Sequence, residues 1–164
     1  APFFVVLAQR SSPDSRMLGA FLLASSLASS LSAAFWGWMA DVSSRKVMIR
    51  GSGLAAIICF AMGVVAYCFA GESVLIWIIP VAYLVLSIAH AGVRIGRKTY
   101  LVDMAGGTKR TDYVAVSNTV IGVLLLVTGG VSALASLLSV EAVLILLGLM
   151  GAAGTISALR LEDV

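Results

Sequence analysis

The residues able to do chemistry in this chain stand in two charged stretches and at one isolated histidine. The first stretch is Gly37-Trp38-Met39-Ala40-Asp41-Val42-Ser43-Ser44-Arg45-Lys46-Val47, with Arg50 just beyond it. In that stretch a glycine allows close helix approach, an acid ends one helix and a basic pair starts the next. The second stretch holds Arg94, Arg97, Lys98 and Asp103, followed by Lys109, Arg110 and Asp112. His90 precedes Arg94 by one helical turn, so the two can share a face. Its imidazole titrates near physiological pH and suits a proton relay or a contact to a polar solute. Cys59 and Cys68 lie in one apolar segment, separated on a helix by about 13 Å, too far for a disulfide. A single histidine and the lack of a close cysteine pair leave no metal-ligand spacing. No span holds a nucleophile beside a base, which speaks against an intramembrane enzyme. No catalytic set, metal or cofactor is expected.

The composition says which elements must position these groups. Sixty per cent of the 164 residues are apolar, 12% are charged, and the mean hydropathy is +1.06. A soluble domain is nearer half apolar and a quarter charged, and a chain this size could not hide so much apolar surface from water. The lipid bilayer is its solvent. Five runs are long enough to cross a hydrocarbon core, which takes about 20 residues. They are residues 17–40, 47–70, 73–93, 113–138 and 142–159, none with a charge in its middle. Residues 1–8 are apolar but make only about 12 Å of helix, and they read as the end of a further span truncated at its start. Ser11-Ser12-Pro13-Asp14 reads as the turn to the next span. The expected fold is an all-α, polytopic transmembrane helix bundle of five full spans plus the end of a sixth, forming a single domain over residues 1–164.

Five crossings alternate the connections between two sides. One side receives Arg45, Lys46, Arg50, Arg94, Arg97, Lys98, Lys109, Arg110 and Arg160, and the other receives Arg10 and Arg16, with Glu72 and Glu141 in its turns. Such a bias places the basic side, with loops 41–50 and 94–112 and the C-terminus, in the cytoplasm. The same bias accounts for the net charge of +3. With no stacking aromatics among the basic residues, nucleic acid is not an expected partner.

The first charged stretch resembles the signature loop of the major facilitator superfamily, roughly Gly-x-x-x-Asp-Arg-x-Gly-Arg-Arg. Gly37, Asp41, Arg45 and Lys46 match that pattern; Val42 and Ser44 stand where the family has a basic residue and a glycine. The second stretch, two spans later, resembles the basic cluster that the family carries at the corresponding loop. The resemblance covers the whole chain and implies half of a major-facilitator-type fold. It implies a secondary active transporter that moves a small solute by alternating access, with the other half supplied elsewhere. The ending at Arg160-Leu161-Glu162-Asp163-Val164 resembles that of the C-terminal half. The resemblance also implies a gating role for Asp41, with Arg94 or Arg97 as partners in this half, and a pairing of Arg45 with Asp103. His90 is the candidate for a solute or proton path.

Small residues form a further pattern. Ser25, Ser29, Ala33 and Gly37 recur every four positions, Gly122, Gly129 and Gly130 mark the fourth run, and Gly148, Gly151 and Gly154 the fifth. In lipid, close backbone approach at such residues supplies helix packing. Pro80 is expected to kink the third run. Asn118, Thr119 and Tyr83 are candidates to face a cavity. The alternative to transport is a non-transporting membrane subunit that anchors or scaffolds a complex, which the small-residue faces would equally suit.

Overall fold

A chain dissolved in hydrocarbon finds no water for its backbone N–H and C=O groups, so each span must satisfy them internally as helix. The computed structural model, which describes residues 2–11, 16–69, 75–105, 109–137 and 139–162, is helical throughout these segments apart from short connections. The elements are α1 (Pro2–Ser11), α2 (Arg16–Val42), α3 (Ser44–Cys68), α4 (Leu75–Met104), α5 (Arg110–Ser136) and α6 (Val140–Leu159). Among the described residues, four helical segments are long and apolar enough to cross a membrane: Ser44–Cys68, Trp77–Met104, Arg110–Leu134 and Val140–Leu159. α2 has the length, at 27 residues. The chain is an integral membrane protein.

Two connections differ from the expected loops. The segment 41–50 is almost entirely helix: α2 continues through Asp41 to Val42, and α3 begins at Ser44. Only Ser43 lies between them, in extended conformation, and its hydroxyl accepts from the Lys46 N–H at 3.3 Å. This serine cap makes so short a turn possible, because it satisfies an N–H that the first turn of α3 would leave orphaned. The segment 94–112 is likewise helical as far as Met104. Thirty residues of α4 reach about 45 Å, against a hydrocarbon core of about 30 Å. The basic residues from Arg94 onward therefore ride on a helical extension beyond the span. The helix is retained there because Gly96 lets α4 lie directly on the start of α3; a Cβ on it would stand 3.0 Å from the Ser44 carbonyl oxygen. α4 stays helical through Pro80. The expected turn at Ser11–Asp14 falls largely outside the described residues, as do Glu72 and the ends of the predicted runs at Ala70, Ser73 and Leu138.

The bundle is organised around α3, which packs extensively on α4 along one side and on α6 along the other. Both contacts are antiparallel. Gly51 faces Val93 and the Ala89 carbonyl on α4, while Gly63 faces Glu141 and Ile145 on α6. Further along the α3–α6 seam, Gly148 meets Phe60 and Gly151 meets Ala56. α2 packs on the outer side of α4, its Phe21 ring edge-on to Tyr83 with centroids 4.8 Å apart. Nearer the basic end, the Trp36 Nε1–H donates to the Ile88 carbonyl at 2.9 Å. α1 lies between α4 and α6, with Phe4 buried in the central core beside Leu86 and Leu144. α5 touches only parts of α4 and α6 and presents most of its surface outward.

A polar link crosses the α3–α6 seam within the two apolar spans. The Thr155 Oγ1 and Ser52 Oγ lie 2.9 Å apart, and each hydroxyl also reaches a carbonyl of its own helix, Gly151 and Met48. Interhelical hydrogen bonds in bilayers contribute about 0.6 kcal/mol on average. A double-mutant cycle of Ser52→Ala with Thr155→Val, read by unfolding in mixed micelles, is expected to return a coupling energy of about that size. Strict additivity of the two variants would show that the link is not energetically felt.

Candidate functional site

The antiparallel packing brings the charged stretches to one end of the bundle. The C-terminal end of α2, the start of α3 and the extension of α4 meet there, with Gly96 against Ser44. The end of α6 joins them through Arg45, whose Nη2 donates to the Leu159 carbonyl at 2.7 Å. The last carbonyls of a helix have no intrahelical partner and carry the negative end of its dipole, so a guanidinium is well matched to them. A short connection then leads to α5, where the Arg110 Nε–H donates back to the Ala105 carbonyl at 3.2 Å.

Asp41, Lys46, Arg94 and Asp103 are exposed at this end, and Arg45 and Arg97 are half-buried. Among the described residues, Asp41 makes no ion pair with Arg94 or Arg97, and Asp103 makes none with Arg45; the guanidinium of Arg45 is turned toward α6 instead. Arg50 is also exposed and points Nη1 at the Met39 Sδ, 2.9 Å away. The predicted switch residues are thus gathered into one region without being joined to one another in this conformation.

His90 stands one helical turn before Arg94 on α4 and is itself exposed. It lines a cavity of about 340 Å³ enclosed by α1, α3, α4 and α6, together with Phe3, Phe4, Cys59, Leu86 and Leu147. A second cavity, of about 450 Å³, lies between α1, α5 and α6 and is lined by Leu125, Thr128, Gly129, Ser132 and Ser136. Phe3 and Leu147 border both. The hydroxyls of α5 were not among the residues that sequence reasoning singled out. Their signal was present, since Thr128, Ser132 and Ser136 recur every four positions and so fall on one helical face. Asn118 and Thr119, by contrast, are exposed, with the Thr119 hydroxyl donating to the Ala115 carbonyl at 3.0 Å. Tyr83 is half-buried between Phe4 and Phe21.

The arrangement is that of an integral membrane helix bundle with a charged end and two adjoining hollows, the first partly enclosed and the second opening to the surroundings. No protein-family model, curated protein or solved structure matches the chain.

Proposed function

We propose that this chain is one half of a secondary active transporter of the major-facilitator type, moving a small solute by alternating access. Its basic end faces the cytoplasm of an inner or plasma membrane. The observation that carries the reading is how the glycines divide between packed and open surfaces. Gly51, Gly63, Gly92, Gly96, Gly148 and Gly151, on α3, α4 and α6, are each pressed against a neighbouring helix. Gly19 and Gly37 on α2, Gly122, Gly129 and Gly130 on α5, and Gly154 near the end of α6 would meet nothing with an added Cβ. In hydrocarbon, glycine is the residue that lets helices approach closely. Open glycines on α2 and α5 therefore offer surfaces for further helices, and the missing half of the transporter is their occupant on this reading.

The charged end fits such a two-state device. Exposed charges beside short helix connections can pair with groups of the other half in one access state and separate in the other, which biases the equilibrium. Asp41 is the acid of that switch; Arg45, Lys46, Arg94, Arg97 and Asp103 are its surroundings. Asp41→Asn in full-length protein, reconstituted into proteoliposomes and screened for solute flux, is expected to slow transport severalfold while insertion stays intact. An unchanged rate would remove the gating role. The open glycine faces also suit a non-transporting scaffold subunit, and that reading would gain if the reconstituted parent protein moved no solute while co-purifying with a larger assembly.

A further inference from the structure

We propose that the two adjoining cavities form one binding site for a small, uncharged, largely apolar solute that carries a hydroxyl or carbonyl group. The volumes, about 340 and about 450 Å³, lie within the range of small-molecule sites, and so does the character of the walls. Phe3, Phe4, Leu86, Leu144 and Leu147 supply apolar and aromatic surface. The polar groups are few and placed on opposite walls, with His90 on α4 facing the first cavity and Thr128, Ser132 and Ser136 on α5 facing the second. Ser132 is only 4% exposed, so its hydroxyl serves the interior.

The charge of the solute follows from what the walls lack. Neither lining includes an aspartate, glutamate, lysine or arginine among the described residues. A charged solute would give up its hydration and find no counter-ion, a loss of several kcal/mol or more in such surroundings. A neutral solute gives up only the hydration of its polar group, and that group can regain its hydrogen bonds. A hydroxyl can donate to or accept from the imidazole of His90, and a carbonyl can accept from the hydroxyls of Thr128 or Ser132. Leu147 and Phe3 stand where the cavities adjoin, so one elongated molecule could lie across both.

This inference deepens the transport reading by naming a solute class, and its test measures binding without flux. Full-length protein in nanodiscs is irradiated with octanol bearing a diazirine, and the adducts are mapped by mass spectrometry. Adducts are expected on α4 around Leu86–His90, on α5 around Thr128–Ser136 and on α6 around Leu147, suppressed by excess unlabelled octanol. Leu147→Trp, which fills the junction, is expected to reduce them severalfold. Ser132→Ala, a milder change, is expected to reduce labelling of α5 while the bundle stays folded. The diazirine-bearing octanoate anion is expected to leave these positions unlabelled. Three results would overturn the site: adducts confined to outward residues such as Trp77 and Leu126, labelling indifferent to both variants, or protection of the cavity by another part of the full-length chain. Equal labelling by octanoate would overturn the solute class. Labelling in a protein that shows no flux would keep the site and remove the transporter; flux without labelling would do the reverse.

Discussion

Gly148→Leu is expected to separate α3 from α6 and to destabilise the bundle more than any other single substitution at the seam. A Cβ at position 148 would already stand 3.0 Å from the Phe60 backbone nitrogen and 3.1 Å from the Phe60 Cβ. These atoms belong to the helix itself and to the root of a side chain, so no rotamer change can move them aside. A leucine would add three more carbons in the same direction. Overpacking in tight interiors costs about 1–3 kcal/mol where side chains can shift, and here only helix displacement remains, which places the expectation at or above about 3 kcal/mol. The matched control is Gly122→Leu on α5, where an added Cβ meets nothing. That variant is expected to stay within about 0.5 kcal/mol of the parent for this bundle alone. Both are read by SDS titration in mixed micelles with tryptophan fluorescence. Equal behaviour of the two variants would mean that α3 and α6 are not held at glycine distance. If Gly122→Leu is neutral for the bundle but weakens association with the other half, the open glycine face of α5 is an interface.

The second large effect belongs to Trp36→Ala. Trp36 is 5% exposed and fills the space between α2 and α4, with its indole against Gly92 so closely that a Cβ there would lie 2.7 Å from the ring. Its Nε1–H caps the Ile88 carbonyl. Truncation removes both the packing of a large ring and a hydrogen bond between helices. Lipid repays little of the loss, because the cavity is walled by protein. The expected destabilisation is about 3 kcal/mol, measured by circular dichroism during SDS unfolding. Trp36→Phe keeps most of the ring and loses the donor, so its loss is expected to be about 1 kcal/mol. Gly92→Leu would collide with the indole itself. If Trp36→Ala unfolded together with the parent chain, the contact between α2 and α4 would carry no weight.

The helices were readable because their signal is collective. Each run of twenty or so apolar residues has one stable form in hydrocarbon, and no single position decides it. The loops were misjudged for a related reason. Charge marks where a chain leaves the hydrocarbon, yet nothing in a charge says that the helix ends there. Arg94, Arg97 and Lys98 therefore sit on an extension of α4 and not on a loop. The small residues were harder. Ser25, Ser29, Ala33 and Gly37 share a face of α2, but the buried face of that helix is the adjacent one, through Ala28, Ser32, Trp36 and Ala40. Gly37 itself meets no neighbour. Small size permits close approach without requiring it, and the partner that uses the permission is a matter of topology. Gly51, Gly63, Gly92 and Gly96 went unnoticed because they are scattered singly along α3 and α4, and only the crossing of two helices makes them one surface. Gly148, Gly151 and Gly154 were visible as a cluster; the first two lie in the α3–α6 seam, while Gly154 meets no neighbour.

The central place of α3 also sets an order of assembly in time. Its contact with α4 joins helices that are neighbours along the chain, so it can form as soon as α4 enters the bilayer. Its contact with α6 waits for α5 to be synthesised and inserted first. During that interval Gly63 and Ala56 face lipid with nothing to press against, and the mouth of the seam is closed only when the Leu159 carbonyl reaches Arg45. α6, which enters the bilayer after α5, thus completes the middle of the bundle, and a nascent chain stopped before Val140 would present that unfinished seam to any helix nearby.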